Sequence, residues 1–244
     1  MFMTVSFASM KQGYALAGAR ADRSGFSGSL RMDRGTDMRN AVGFYWTLPV
    51  PWAGFTELPE DIDAAAKTSR TIRYQRDLIR RHAKENRYQL VEEKVFLEIA
   101  PDRGSRYVLD ALRPLEAICR EQSACFLYVD FWRVQGWRGH EAFQEWLERT
   151  PIKFEAVPPD EIVIDGSMFD PHHHFGEWRE RQHEWTAAKP ERIARAIEEA
   201  SRRRAAGQPY KEIADALNVD GIRSASGKPW NEGRIGDLLK KAAK

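Results

Sequence analysis

The sequence predicts an α/β domain with a mainly parallel sheet and flanking helices, followed by a small all-α, helix-turn-helix-like domain. Three observations predict it. Strand patterns alternate with helical patterns between residues 41 and 166, which favours parallel strands joined by helical crossovers. From Pro190 onward the pattern changes to three short helical stretches separated by Gly- and Asn-containing turns. Charge shifts at the same place: residues 190–244 hold 12 Lys/Arg against 8 Asp/Glu, leaving 26 against 28 upstream. The expected limits are a disordered extension over 1–39, the α/β domain over 40–167, a connecting segment over 168–189 and the helical domain over 190–244.

Each element has its own signal. Residues 1–38 are rich in Gly, Ser, Arg and Asp without periodicity, and Met38 is a second candidate start. "AVGFYWTLPV" (41–50) is an apolar strand that stops at prolines, and a Pro/Gly/acidic connection follows it. "SRTIRYQRDLIRRHAKEN" (69–86) places Ile72, Gln75, Leu78, Ile79 and His82 on one helical face. "YQLVEEKVFLEIA" (88–100) reads as a strand. "GSRYVLDALRPLEAICRE" (104–121) reads as a helix with Leu109, Leu112, Leu115 and Ile118 in a stripe and a kink at Pro114. "ACFLYVDF" (124–131) is a buried strand, "HEAFQEWLERT" (140–150) a short helix, and "IKFEAVP" (152–158) and "EIVIDG" (161–166) two further strands. In the last region the helices are 190–207, 209–218 and a third that Asn231 caps.

The composition excludes several classes. Charged residues make up 30% of the 244-residue chain and no apolar run reaches membrane length, so no membrane partner is expected. Cys119 and Cys125 make no disulfide framework, and two free thiols suit a cytoplasmic location. A net charge of +2 gives no general attraction to polyanions.

One segment carries a specific pattern: Ile213-Ala214, Leu217-Asn218, Gly221-Ile222, Gly227-Lys228-Pro229-Trp230 and Leu238-Leu239. In order and spacing it resembles the region after the catalytic domain in large serine recombinases and resolvase-like integrases. Upstream the likeness is looser. Ser69 and Gln75 approximate a Ser-x-x-x-Gln helix at wider spacing. Arg106 and Leu109 match an Arg-x-x-Leu helix. Arg133 stands for the arginine of an Asp-Arg motif, with Trp132 in the aspartate's place. The resemblance implies a resolvase-like fold, double-stranded DNA as partner, assembly as a homodimer or higher oligomer, a partner recombinase, a mobile-element setting and no organic cofactor.

The family's first strand carries Tyr-x-Arg-Val-Ser, whose serine attacks a DNA phosphate while arginines stabilise the transition state. Aligned on Tyr45, that motif reads Tyr45-Trp46-Thr47-Leu48-Pro49, with Thr47 for the arginine and Pro49 for the nucleophile. Proline carries no nucleophile. Gly136 stands where a second arginine is expected, and Arg138 comes two positions late. Three readings follow. The chain is a DNA-binding protein with a degenerate catalytic motif; or an active recombinase with a differently placed hydroxyl, such as Thr47 or Ser69, and Arg106 and Arg133 as remaining arginines; or an interaction scaffold that keeps the fold without DNA.

On the first reading, Arg223, Ser224 and Lys228 in the turn meet phosphates, while Asn231, Glu232 and Arg234 open the last helix toward base edges. Other clusters have plainer explanations. Three adjacent histidines, His172 to His174, cannot all face one metal from a regular element, so no metal site is expected. Glu92, Glu93, Glu98 and Asp102 read as a strand's polar face rather than a metal nuclease centre. Trp132, Trp137, Phe143 and Trp146 read as core or an oligomer face rather than a base-stacking platform. Arg202, Arg203 and Arg204 suit either a solvated helix end or a phosphate contact.

Overall fold

The computed structural model describes residues 38–99, 104–134 and 140–242. The expected disordered extension, together with Asp102, Gly136, Trp137 and Arg138, lies outside the described residues, apart from its last two positions. The architecture is mixed α/β: a parallel four-stranded sheet flanked by helices, followed by a helical region.

The sheet contains β1 (Arg39–Thr47), β2 (Tyr88–Leu97), β3 (Cys125–Val129) and β4 (Phe154–Val157), in the order β2-β1-β3-β4 with every pair parallel. Between β1 and β2 run α1 (Ile62–Thr68) and α2 (Arg70–Glu85); α3 (Val108–Glu121) joins β2 to β3, and α4 (Glu141–Arg149) joins β3 to β4. Successive β1 residues serve opposite faces, as the strand repeat requires. The Phe44 ring meets Phe143 of α4 at 5.5 Å, while the next residue, Tyr45, donates to Glu93 at 2.6 Å and Glu93 also accepts from Arg80 of α2. Both faces are therefore covered, which explains why β1 is continuously apolar from Ala41 to Trp46 rather than alternating.

The structure departs from expectation in four places. The Pro/Gly/acidic connection contains α1, because Asp61 caps it by accepting from the Ala64 amide at 2.8 Å. The helix expected from 104 starts at Val108 and runs through Pro114. The strand at 161–166 does not join the parallel sheet. As β5 (Ile162–Ile164) it forms an antiparallel hairpin with β6 (Ser167–Phe169), through a turn with positive φ at both Asp165 and Gly166. The connecting segment 168–189 is mostly α5 (Pro171–Ala187), capped by Asp170 and started by Pro171.

The helical region comprises α6 (Lys189–Ala205), α7 (Tyr210–Val219) and α8 (Glu232–Ala242). It has its own apolar cluster of Ala196, Ala200, Ile213, Ala214, Leu217, Ile222, Trp230 and Ile235. The first cluster spans the sheet, its helices and Phe175 of α5. Among the described residues no helix is long and apolar enough to cross a membrane.

Candidate functional site

The chain order places β2 on one side of β1 and β3 on the other. In parallel sheets a crevice opens beyond the carboxyl ends of strands where the order reverses in this way. β1 ends there at Thr47. It pairs with β3 only as far as Phe44, so Trp46 presents its backbone to no strand on that side. Gln75 of α2 takes the missing strand's place. Its wholly buried side chain accepts from the Trp46 amide at 3.1 Å and donates to the Trp46 carbonyl at 2.7 Å. The same amide nitrogen reaches the Thr71 carbonyl at 3.1 Å, which fixes the strand end against the first turn of α2.

Beyond Thr47 lies a cavity of about 260 Å³. The loop 48–55 forms one wall, the start of α2 (Ser69, Arg70, Thr71) a second, and α5 (His174, Phe175, Glu177, Trp178, Arg181) a third. Trp52 and Trp178 face each other across the rim, ring centres 5.9 Å apart and inclined by 49°. His174 Nε2 lies 3.1 Å from the Thr71 hydroxyl. Burial, reinforced by the neighbouring Arg70 charge, lowers the His174 pKa to about 4, so the ring is neutral at pH 7.

That shift sets a pH dependence. A histidine whose folded pKa lies below its unfolded value of about 6.5 binds more protons when unfolded in the window between them. Its stabilising effect is complete above about pH 6.5 and is lost as pH falls toward 4. The change is expected to reach about 3 kcal/mol, and His174→Gln is expected to remove most of it. Urea unfolding at pH 4.5 and pH 7.5 for both proteins checks this.

Among the described residues the candidate catalytic side chains do not assemble into a reacting centre. Thr47 and Ser69 both line the cavity, but neither hydroxyl has a hydrogen-bonded base among the described residues. Ser69 caps α2 instead, accepting from the Ile72 amide at 3.3 Å. Arg106 is exposed in the turn before α3, and the Arg133 side chain lies outside the described residues. Pro49 follows the strand end in the loop.

One residue that the sequence assigned to a surface has another role. Glu98 is wholly buried rather than on a polar strand face. It accepts from His140 Nε2 at 2.6 Å and from the Ser105 amide at 2.9 Å. Phe143 is core at 3% exposed and Trp146 donates to Glu116, while Trp132 is 63% exposed. His172 and His173 are exposed, and His173 Nε2 lies 3.4 Å from a Glu177 carboxylate oxygen. Arg202 and Arg203 both pair with Glu199, whose carboxyl they hold down to about 2.

In the helical region the motif residues build a turn. Asn218 bonds both backbone groups of Trp230, at 2.8 and 2.9 Å, and the Trp230 indole donates to the Ile222 carbonyl at 2.9 Å. Gly221 and Gly227 take positive φ, which suits glycine. Ser224 was expected to meet phosphate, but it is 6% exposed and donates to the Lys228 carbonyl at 2.7 Å, so it staples the turn. Asn231 caps α8, accepting from the Arg234 amide at 2.9 Å. Lys228, Asn231, Glu232 and Arg234 are exposed together on the solvent side. Arg223 is half-buried, with its guanidinium close to Gly54 of the loop 48–55. Gly227 lies so near Pro51 that a Cβ there would come within 2.6 Å of the Pro51 Cα. The turn thus has a solvent side and a side packed on the cavity's loop.

Among the described residues the arrangement combines a concave site whose hydroxyls have no hydrogen-bonded base and a turn with exposed cations. Comparison with protein-family models, with curated proteins and with solved structures finds no match for the chain.

Proposed function

We propose that the chain is a serine-recombinase-like DNA-binding protein with a degenerate catalytic centre, which binds double-stranded DNA through its helical region without cutting it. The observation that carries the DNA part is the turn before α8, held rigid from within by Asn218, Trp230 and Ser224 while Lys228 and Arg234 remain exposed. A preorganised turn leading into a helix start suits phosphate contact followed by base contact. Loss of cutting is supported by Pro49 in the nucleophile's position and by the lack, among the described residues, of a base beside Thr47 or Ser69. Assembly as a homodimer or higher oligomer, and action beside a partner recombinase, belong to the same reading.

Binding to random duplex is expected to weaken steeply with salt, and a denaturing gel is expected to show no covalent adduct. Lys228→Ala should lower the slope of log affinity against log salt by about 0.9, the value for one lost phosphate contact. Arg234→Ala should cost about 1–3 kcal/mol on a preferred sequence and relax the preference. A covalent adduct would instead establish an active recombinase. No binding at low salt would leave the interaction scaffold.

A further inference from the structure

The cavity beyond Thr47 has a composition that DNA contact does not require. Four of its wall residues are aromatic: Trp52, Phe55, Phe175 and Trp178. Water held there faces ring surfaces that offer it few partners, so an apolar body gains by replacing it. Its polar groups are sorted by depth. A neutral imidazole and a hydroxyl, His174 and Thr71, are paired in the wall, while the Trp178 indole nitrogen is buried without a partner. Two cations, Arg70 and Arg181, line the cavity against one carboxylate, Glu177. Arg181 is exposed and makes no ion pair among the described residues. Beside it, α2 begins, where the first amides of a helix have no acceptor within it.

The geometry points to a binding site for a small aromatic acid: one or two fused planar rings against Trp52 and Trp178, with a single anionic group at Arg181. At about 260 Å³ the cavity falls just below the roughly 300–1,000 Å³ common for ligand sites, which limits the ring system to that size. A lone phosphate would leave the aromatic walls uncovered. The site does not depend on the DNA reading, since none of these residues belongs to the turn before α8.

The test is calorimetric titration of the full chain with 2-naphthoate, with its uncharged analogue 2-naphthylmethanol, with the cation 2-naphthylmethylamine and with thymidine monophosphate. The expected result is one-to-one binding in which the acid binds most tightly and the amine most weakly, with quenching of tryptophan fluorescence. Arg181→Glu should weaken the acid about tenfold, a change of about 1.4 kcal/mol, and leave the alcohol unchanged. Ala53→Phe, at an exposed position in the loop wall, should abolish binding of both while the unfolding midpoint is kept. Equal affinity for acid and amine would overturn the anionic assignment. Binding that survives Ala53→Phe would place the ligand elsewhere and overturn the site. Preference for thymidine monophosphate over the acid would replace a free aromatic acid by a nucleotide, and no binding of any probe at millimolar concentration would overturn the proposal outright.

Discussion

His140→Ala is expected to lower stability by about 3–5 kcal/mol, because it takes a buried hydrogen bond from Glu98 and leaves a cavity in the core. Glu98 is fully buried at the carboxyl end of β2, and His140 is 4% exposed. Because the Phe143 amide donates to His140 Nδ1 at 3.4 Å, the ring's proton lies on Nε2, pointing at Glu98. The imidazole is further fixed between aromatic neighbours, with the Trp46 ring 5.5 Å away and nearly perpendicular. Truncation therefore removes a hydrogen bond, a helix cap and packing at once. The double replacement Glu98→Leu with His140→Leu should recover much of the loss, since apolar residues of similar size remove the unsatisfied group as well. Urea unfolding of the singles and the double checks both statements, and additive effects would show that the two side chains act independently.

The second large effect is expected at Gln75. Gln75→Leu keeps the volume but strips both hydrogen bonds from the Trp46 backbone, which has no strand beside it there. Each buried backbone group that loses its hydrogen bond costs about 1–3 kcal/mol, so a loss of about 2–6 kcal/mol follows. Gln75→Glu should behave differently. It keeps an acceptor for the Trp46 amide but sets an oxygen against the Trp46 carbonyl. Hydrogen exchange is the readout that separates this from general destabilisation: the Trp46 amide should lose protection in Gln75→Leu and keep more of it in Gln75→Glu.

These two residues also show where sequence reading reaches and where it stops. The helix around Gln75 was legible, because Ile72, Leu78 and Ile79 recur at helical spacing and Ser69 is a good cap. The role of Gln75 was not, since a polar residue on an apolar stripe gives no hint of which backbone it bonds. Glu98 stood at the end of a strand rich in charge, and it meets its partner His140, 42 positions later, in the core. The helix α5 escaped notice because its polar and aromatic residues form no apolar stripe, although Asp170-Pro171 marks its start. The cavity drew on three such places, the loop 48–55, the start of α2 and α5, so no single window of sequence contained it. The turn before α8 was read as a motif, and the structure assigns most of that motif to construction: Asn218, Ile222, Gly227 and Trp230 hold the loop that presents Lys228.

The contact of Gly227 with Pro51 also bears on portability. Helical recognition regions are often treated as cassettes that can be cut out and attached to another carrier. Here the inner side of the turn is finished by the loop 48–55, with Pro51 under Gly227 and Gly54 under Arg223. A graft of residues 190–242 alone would leave that inner side without its support, and a fragment ending at 189 would bare the outer wall of the cavity. The two halves of this chain were shaped against each other, so the smallest transferable unit includes both.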